Sequence, residues 1–272
     1  MQLTKLDLPR REIDYTRFIK RRAAESDCTL TIDEPTILTS NGKLVAIYDI
    51  LDADVDGVVE AVTGIKYSVS ERTGGLKSTS RVFGYMPRIT MRRDYCTSVS
   101  LAFDSPKKHA VVAEFGKLLS KNYQLRAPEV YAKHLEELGK KIKPDWVIPD
   151  SVFTSGIINK NNPLKYHLDT GNIKDVFSCM LVLRQGVEGG YLCLPEFDVK
   201  FMLKDKSVFM FDGQGIVHGV TPMRVQEGGY RYSLVYYAMR QLWKCMTIDQ
   251  ELARIKQVKT EREVNRATNL HT

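Results

Sequence analysis

The sequence predicts an α+β protein: a double-stranded β-helix (jelly-roll, cupin-like) core braced by helices. Three observations carry this expectation. From Asp150 to about residue 243, eight or so short apolar runs alternate with turns rich in glycine, proline and asparagine, the spacing of an antiparallel double sheet. Ahead of them, residues 105–141 hold two stretches with apolar side chains at three- and four-residue intervals, each opening at a proline. Within the strand-rich part, His167 and Asp169 stand two apart, and His218 follows about fifty residues later.

The chain opens on a basic run, with Arg10, Arg11, Arg17, Lys20, Arg21 and Arg22 close together. Such a run serves either as a solvated helix face or loose arm, or as an arm that contacts phosphate. Residues 28–50 read as strands about an Asn41-Gly42 turn, a strong hairpin signal, with KLVAIYDIL as the second strand. Val55, Val58, Val59 and Val62 repeat at helical spacing, and Gly64 ends that helix. Between residues 65 and 96, Arg72, Lys77, Arg81, Arg88, Arg92 and Arg93 are interleaved with Phe83 and Tyr85. This suits either a surface that tracks a nucleic-acid backbone with stacking rings, or a hairpin with solvated charges and Phe83 in the core. Residues 105–121 read as a helix with Ser105 as N-cap, Pro106 at the first position and an apolar stripe of Val111, Phe115, Leu118 and Leu119. A second helix, 128–141, puts Val130, Tyr131, Leu135 and Leu138 on one side. His109 and His134 lie in these helices without an acidic or histidine partner at ligand spacing, so both read as surface or packing residues.

From Asp150 the expected strands are VFTSGIINK and, after an Asn-Asn-Pro turn, LKYHLD; then VFSCMLVLRQ, a GVEGG turn and YLCLP. VKFML and SVFMFD follow around a KDK turn, then GIVHGV, an MRVQEGG loop and the last strand, YRYSLVYYAM. Beyond Trp243, Ile248, Leu252, Ile255 and Val258 predict a terminal helix packed by its apolar stripe. The expected organisation is residues 1–149 as N-terminal strands and bracing helices of the same catalytic unit, 150–243 as the core with the sites, and 244–272 as the C-terminal helix.

With 272 residues, 43% of them hydrophobic, the chain suits one large unit. No apolar run approaches the roughly 18–20 residues of a membrane span, and the N-terminus lacks the apolar core of a signal peptide. Five scattered cysteines without a CxxC imply reduced thiols and an intracellular setting, cytoplasmic or nuclear, virus- or phage-encoded proteins included. Cys179 and Cys193 fall in buried strands. A net charge of +7 permits a polyanionic partner such as DNA without requiring one.

The chemistry concentrates in residues 166–239. Side chains at i and i+2 of a strand share a face, so His167 and Asp169 point into one cavity, and His218 arrives from a distant strand. Two imidazoles and one carboxylate match the facial triad of non-haem Fe(II) oxygenases, which leaves positions for a bidentate 2-oxo acid and for O2. Arg231 supplies a planar, always-charged fork for the far carboxylate of such an acid, and Ser233 faces the same way with a hydroxyl. Phe177, Val182 and Leu192 are apolar residues suited to keep the site dry.

HLDTGN, LCLP, HGVTP and RYSLVYY together resemble the TET and J-binding-protein group of Fe(II)/2-oxoglutarate dioxygenases over roughly residues 150–240, with a fainter echo at SERTGG. The resemblance implies iron at His167, Asp169 and His218, 2-oxoglutarate at Arg231 and Ser233, and oxidation of the 5-methyl group of a pyrimidine flipped out of DNA. It puts a base-contacting side chain at Asn172, an aromatic beside the base at Tyr237, and a further active-site arginine at Arg72 or Arg81. The plain alternatives are a turn residue for Asn172 and a core ring for Tyr237. Met239 departs from the pattern, since TET enzymes carry a base-contacting histidine there. The cysteine-rich zinc region of animal TET proteins is absent. A dioxygenase of the same fold acting on a protein side chain, as prolyl hydroxylases do, or on a small molecule is the competing expectation.

Overall fold

In a computed structural model, described over residues 3–72, 76–89 and 94–269, two sheets enclose an apolar interior. The larger runs in the order Thr4–Asp7, Thr36–Ser40, Lys43–Ile50, Ser207–Phe211, Ser178–Gly189, Met223–Tyr237, Ser155–Lys160, Leu76–Met86, Ser68–Arg72. The smaller runs Leu30–Ile32, Val199–Phe201, Leu192–Leu194, His218–Val220, Leu164–His167. Between residues 155 and 237 the chain passes repeatedly from one sheet to the other, with antiparallel neighbours throughout. This is the double-stranded β-helix, here in an α+β setting.

Strand alternation explains how one sheet serves two cores. Met180 and Val182 point to the small sheet, where they join Leu192, Leu194, Val199 and Phe201. Cys179, Leu181 and Leu183 point the other way, onto the helical layer at Val112, Leu119 and Tyr123. A strand buried on both faces must be apolar at every position, and Ser178–Leu183 is buried throughout. The N-terminal strands hydrogen-bond directly to the core: Lys43–Ile50 pairs with Ser207–Phe211, and Leu76–Met86 with Ser155–Lys160.

Both expected helices of the outer layer are present, as Pro106–Arg126 and Pro128–Lys141. Their buried faces differ from expectation. On the first, Val112, Ala113, Gly116, Leu119 and Tyr123 are buried while Val111 is exposed, a rotation of about one position. Gly116 sits at the contact: a Cβ there would stand 3.3 Å from the ring of Tyr236, a close fit that the ring would have to relieve by a few tenths of an ångström. On the second helix His134 takes the inward place expected for Leu135, which is exposed. Ser105 makes no side-chain cap bond.

Two expected turns are strand. GVEG continues Ser178–Gly189, and MRVQEGG opens the strand Met223–Tyr237; Val187 pairs with Val225 and Gly189 with Met223. The register shifts between Gln185 and Val187, which face Tyr230 and Val225, so the extra residues lie in 226–229 of the partner strand, opposite Gly186 at φ 59°.

The basic arm is held by carboxylates. Arg10 meets Glu196 at 2.9 Å, Arg11 meets Asp198 at 3.0 Å and Arg21 meets Asp27 at 2.9 Å. The terminal helix, Ile248–Asn269, exists, but Ile248 and Leu252 are exposed. Polar contacts seat it instead: Glu251 accepts from Arg88 at 2.7 Å, and Arg254 pairs with Asp94. The expectation of reduced thiols fails at Cys96 and Cys245, which form a disulfide with Cα atoms 5.8 Å apart. Their separation of 149 residues hides the pairing from the sequence. Cys28, Cys179 and Cys193 are free and buried. No helix among the described residues is long and apolar enough to cross a membrane.

Candidate metal centre

His167 ends the strand Leu164–His167 and pairs across the small sheet with His218 at the start of His218–Val220. Their rings lie 4.3 Å apart between centroids. Asp169 follows in the turn, its backbone N–H donating to Gly213 O at 2.8 Å. His167 Nε2 is 3.6 Å from one Asp169 oxygen and His218 Nε2 is 3.8 Å from the other. One ligand atom from each of the three lies within 4.8 Å of the rest, a spacing that a single ion can bridge.

The tautomers follow from the hydrogen bonds. Nδ1 of His167 is 2.7 Å from Lys165 O, and Nδ1 of His218 is 2.9 Å from Ile216 O. A carbonyl only accepts, so each Nδ1 carries the proton and each Nε2 keeps its lone pair toward the shared space. Burial, then the neighbouring His167, push His218 down to about 4, so it is neutral at physiological pH, the form that binds metal. Phe211 packs edge-on against the His218 ring at 4.8 Å. Glu196, which anchors Arg10 and Tyr15, also accepts from Val217 N at 3.1 Å, so the arm helps fix the strand that carries His218. Gly213 has no room for a side chain, because its Cβ would collide with the Asp169 carboxylate.

The other end of the site lies on the last strand. Arg231, Ser233, Val235 and Tyr237 share a face, and the last three line the same cavity as the two histidines and Asp169. Arg231 is 1% exposed, yet its Nε and Nη2 have no hydrogen-bond partner. Burial first, and cross-strand Arg184 second, lower its pKa to about 10, so it stays charged at neutral pH. An uncompensated buried cation costs several kcal/mol; an anion is what this pocket lacks. Gly190 gives it room, since a Cβ there would come within 3.3 Å of Arg231 Cδ and Nε. Two imidazoles and a carboxylate at one end, with a guanidinium short of partners at the other, fit a ferrous ion chelated by a dicarboxylic 2-oxo acid.

The remaining expected residues are dispersed. Tyr237 and Leu192 line the cavity; Phe177 and Val182 are buried in the flanking cores. Asn172 is buried beside the turn, its amide donating to Ser178 Oγ at 3.0 Å, and its backbone bridges to Met239. Neither Asn172 nor Met239 is among the cavity walls. Arg81 is committed to Asp104, away from the cavity. The Arg72 and Lys77 side chains, and Arg92 and Arg93, lie outside the described residues. Asn159, unremarked in the sequence, lines the cavity opposite Ser233, its cross-strand partner. Strand alternation with Ile157 could have pointed to it, but only once the register was known.

The profile of the Tet_JBP family, described as the oxygenase domain of the 2OGFeDO superfamily, matches residues 90–240, more than half of the chain. The chain belongs to the Tet_JBP family. The bifunctional helicase and thymine dioxygenase JBP2 of Trypanosoma brucei brucei is 26% identical over 226 residues, covering 79% of this chain and 20% of that protein. Thymine dioxygenase JBP1 of the same organism is 24% identical over 201 residues, 72% of this chain and 23% of that protein. This Tet_JBP chain thus spans about a fifth of the length of the curated relatives it matches. The solved structure of NgTET1 in complex with 5mC DNA superposes with a TM-score of 0.62 at 15% identity, covering 94% of this chain and 91% of that one. At that identity the likeness speaks for the fold.

Proposed function

We propose that this Tet_JBP chain is an Fe(II)- and 2-oxoglutarate-dependent dioxygenase that hydroxylates the 5-methyl group of a pyrimidine, 5-methylcytosine or thymine, in DNA. The observation that carries the reading is the pairing of a His-Asp-His cluster with a buried guanidinium that lacks an anion, on two walls of one double-stranded β-helix. The substrate class is supported by the relatives: two are named thymine dioxygenases, and the structural neighbour was solved with 5mC DNA.

In this reading His167, Asp169 and His218 hold the ferrous ion, and Arg231 with Ser233 holds the distal carboxylate of 2-oxoglutarate. Bound together with O2, these groups supply the oxidising power to hydroxylate an unactivated C–H bond, while the protein contributes position and dryness. Arg231 orients the 2-oxo acid by a charge-assisted fork, and Ser233 adds a hydroxyl donor. Met180, Leu192, Phe211 and Val235 keep water from the cavity. Lys165 O and Ile216 O hold the imidazoles in the tautomer that leaves Nε2 to the metal. Tyr237 is the polar ring available to a flipped base. Asn172 acts on the base only if it gives up Ser178. Residues 1–149 belong to the same catalytic unit, because their strands extend the core sheet.

The test is a product assay. The protein, Fe(II), ascorbate and 2-oxoglutarate are incubated with DNA containing 5-methylcytosine or thymine, and the nucleosides are read by mass spectrometry. The expected result is a base heavier by one oxygen, dependent on 2-oxoglutarate. Turnover of 2-oxoglutarate with every base unchanged would reject DNA as substrate.

A further inference from the structure

We propose that Cys96 and Cys245, once reduced, form with Glu251 a binding site for a thiophilic divalent ion such as zinc, separate from the His-Asp-His centre and independent of the dioxygenase reading. One junction is then closed by a metal under reducing conditions and by the disulfide under oxidising ones.

The fold brings the three side chains together from distant parts of the chain. Cys96 precedes the short strand Thr97–Ser98, Cys245 follows the short helix Arg240–Lys244, and Glu251 lies in the first turn of the terminal helix. All three are buried, and one ligand atom from each lies within 4.8 Å of the other two. A tetrahedral zinc ion with two bonds of about 2.3 Å sets its two sulfurs about 3.8 Å apart. Cα atoms 5.8 Å apart allow that separation by rotation about the Cα–Cβ bonds once the sulfurs are no longer joined.

Glu251 is held in place by three donors. Its Oε1 accepts from Arg88 Nη2 at 2.7 Å and from Met246 N at 2.9 Å, and its Oε2 accepts from Cys96 N at 2.9 Å. A carboxylate has about four acceptor positions, and among the described residues the remaining one is on Oε2, the oxygen beside Cys96. The donors fix the carboxylate plane, as outer partners do around metal ligands. The charges also balance. Two thiolates and a carboxylate are offset by a divalent ion together with the Arg88 guanidinium. Two sulfurs and one oxygen favour zinc over magnesium or calcium, which take oxygen ligands. A fourth position is left for water.

The step from one state to the other needs only a thiol reductant. Dithiothreitol reduces the disulfide: each cysteine sulfur gains one electron and one proton, and the reagent leaves as its own cyclic disulfide. The ion then displaces those two protons, one from each sulfur. The junction stands behind the turn that carries Asp169. Ile173 N donates to Ala238 O at 3.0 Å, Arg240 N donates to Gly171 O at 2.9 Å, and Asn172 bridges to Met239. Residues 238–245 therefore run along that turn, and Cys245 ties down their end. The terminal helix, with Ile248 and Leu252 exposed, is seated at the same junction through Glu251.

Cobalt(II) is the probe, because cobalt bound to thiolate develops a charge-transfer absorbance in the near ultraviolet that a site of imidazoles and carboxylate does not. The protein is stripped with chelator, freed of reductant and titrated anaerobically in its oxidised and reduced forms. The reduced parent is expected to develop the sulfur band and to lose it when Zn(II) is added; the oxidised parent is expected to show none. Reduced Cys245→Ser is expected to bind cobalt through sulfur on the order of a hundredfold more weakly, and reduced Cys193→Ser to keep the band of the parent. Should Cys245→Ser fail to fold, alkylation of the reduced parent replaces it, with Zn(II) expected to slow modification of Cys96 and Cys245 about tenfold or more. A reduced parent without the band, a band undiminished in Cys245→Ser or lost in Cys193→Ser, or alkylation unchanged by Zn(II) overturns the site.

Discussion

In the proposed reading, Arg231 is the residue where stability and function are most directly opposed. Its guanidinium is buried, charged and short of partners, which is a cost in the protein without co-substrate. Arg231→Met removes the charge and keeps much of the volume. It is expected to stabilise the ligand-free chain by about 1–4 kcal/mol, seen as a higher melting temperature. The parent is expected to gain about 2.7 kcal/mol from 2-oxoglutarate at a hundred times its Kd, and the methionine variant to gain nothing. A variant that 2-oxoglutarate still stabilises would remove Arg231 from its role. At this scale the sequence was legible where spacing alone carries the meaning. Arg231 with Ser233 is an i, i+2 pair inside one strand, which gives the two one face, and His167 with Asp169 is a strand end and its turn, which the same spacing keeps close. It was opaque where a competing partner decides. Nothing local to Asn172 or Arg81 reveals that Ser178 or Asp104 claims the side chain. Nor does anything local to Gly213 reveal that it lies against Asp169.

The helix Pro128–Lys141 carries its own titration. His134 is fully buried among Tyr123 and Phe153, with neither ring nitrogen partnered, and burial lowers it to about 3. Its native value lies below the ordinary 6.5, so the unfolded chain takes up the proton first as pH falls. Stability is therefore full above pH 6.5 and declines from there toward pH 3. At pH 5 the expected loss from this group is about 2 kcal/mol. Urea unfolding at pH 7.5 and pH 5 checks it, with His134→Phe expected to lose that much less than the parent; equal losses would show that His134 titrates normally. Helix periodicity located both bracing helices but misplaced their inner faces. Which face turns inward depends on the opposing surface, here the Tyr236 ring over Gly116. Likewise GVEGG and MRVQEGG have turn composition, yet cross-strand pairing takes in both, with the extra residues of 226–229 set opposite Gly186.

Across the whole molecule, the fold class was legible because short strands and turns recur at the spacing of a double sheet. The long-range ties were not. The N-terminal strands add to both sheets, and Cys96 and Cys245 join points 149 residues apart. Closing a loop of that length is expected to contribute about 3–5 kcal/mol. Cys245→Ser should lower stability by that amount under oxidising conditions, and reductant should bring the parent to the same value. An unchanged urea midpoint in both would mean that the bond carries no stability. The candidate metal centre is also a product of the whole fold, since His218 reaches His167 and Asp169 only when the two strands pair. Titration of chelator-treated protein with Mn(II) or anaerobic Fe(II) tests that claim most directly. The account predicts one ion per parent chain, and an affinity lower by on the order of a hundredfold in a folded His218→Ala variant. Equal affinity in the two proteins would contradict it.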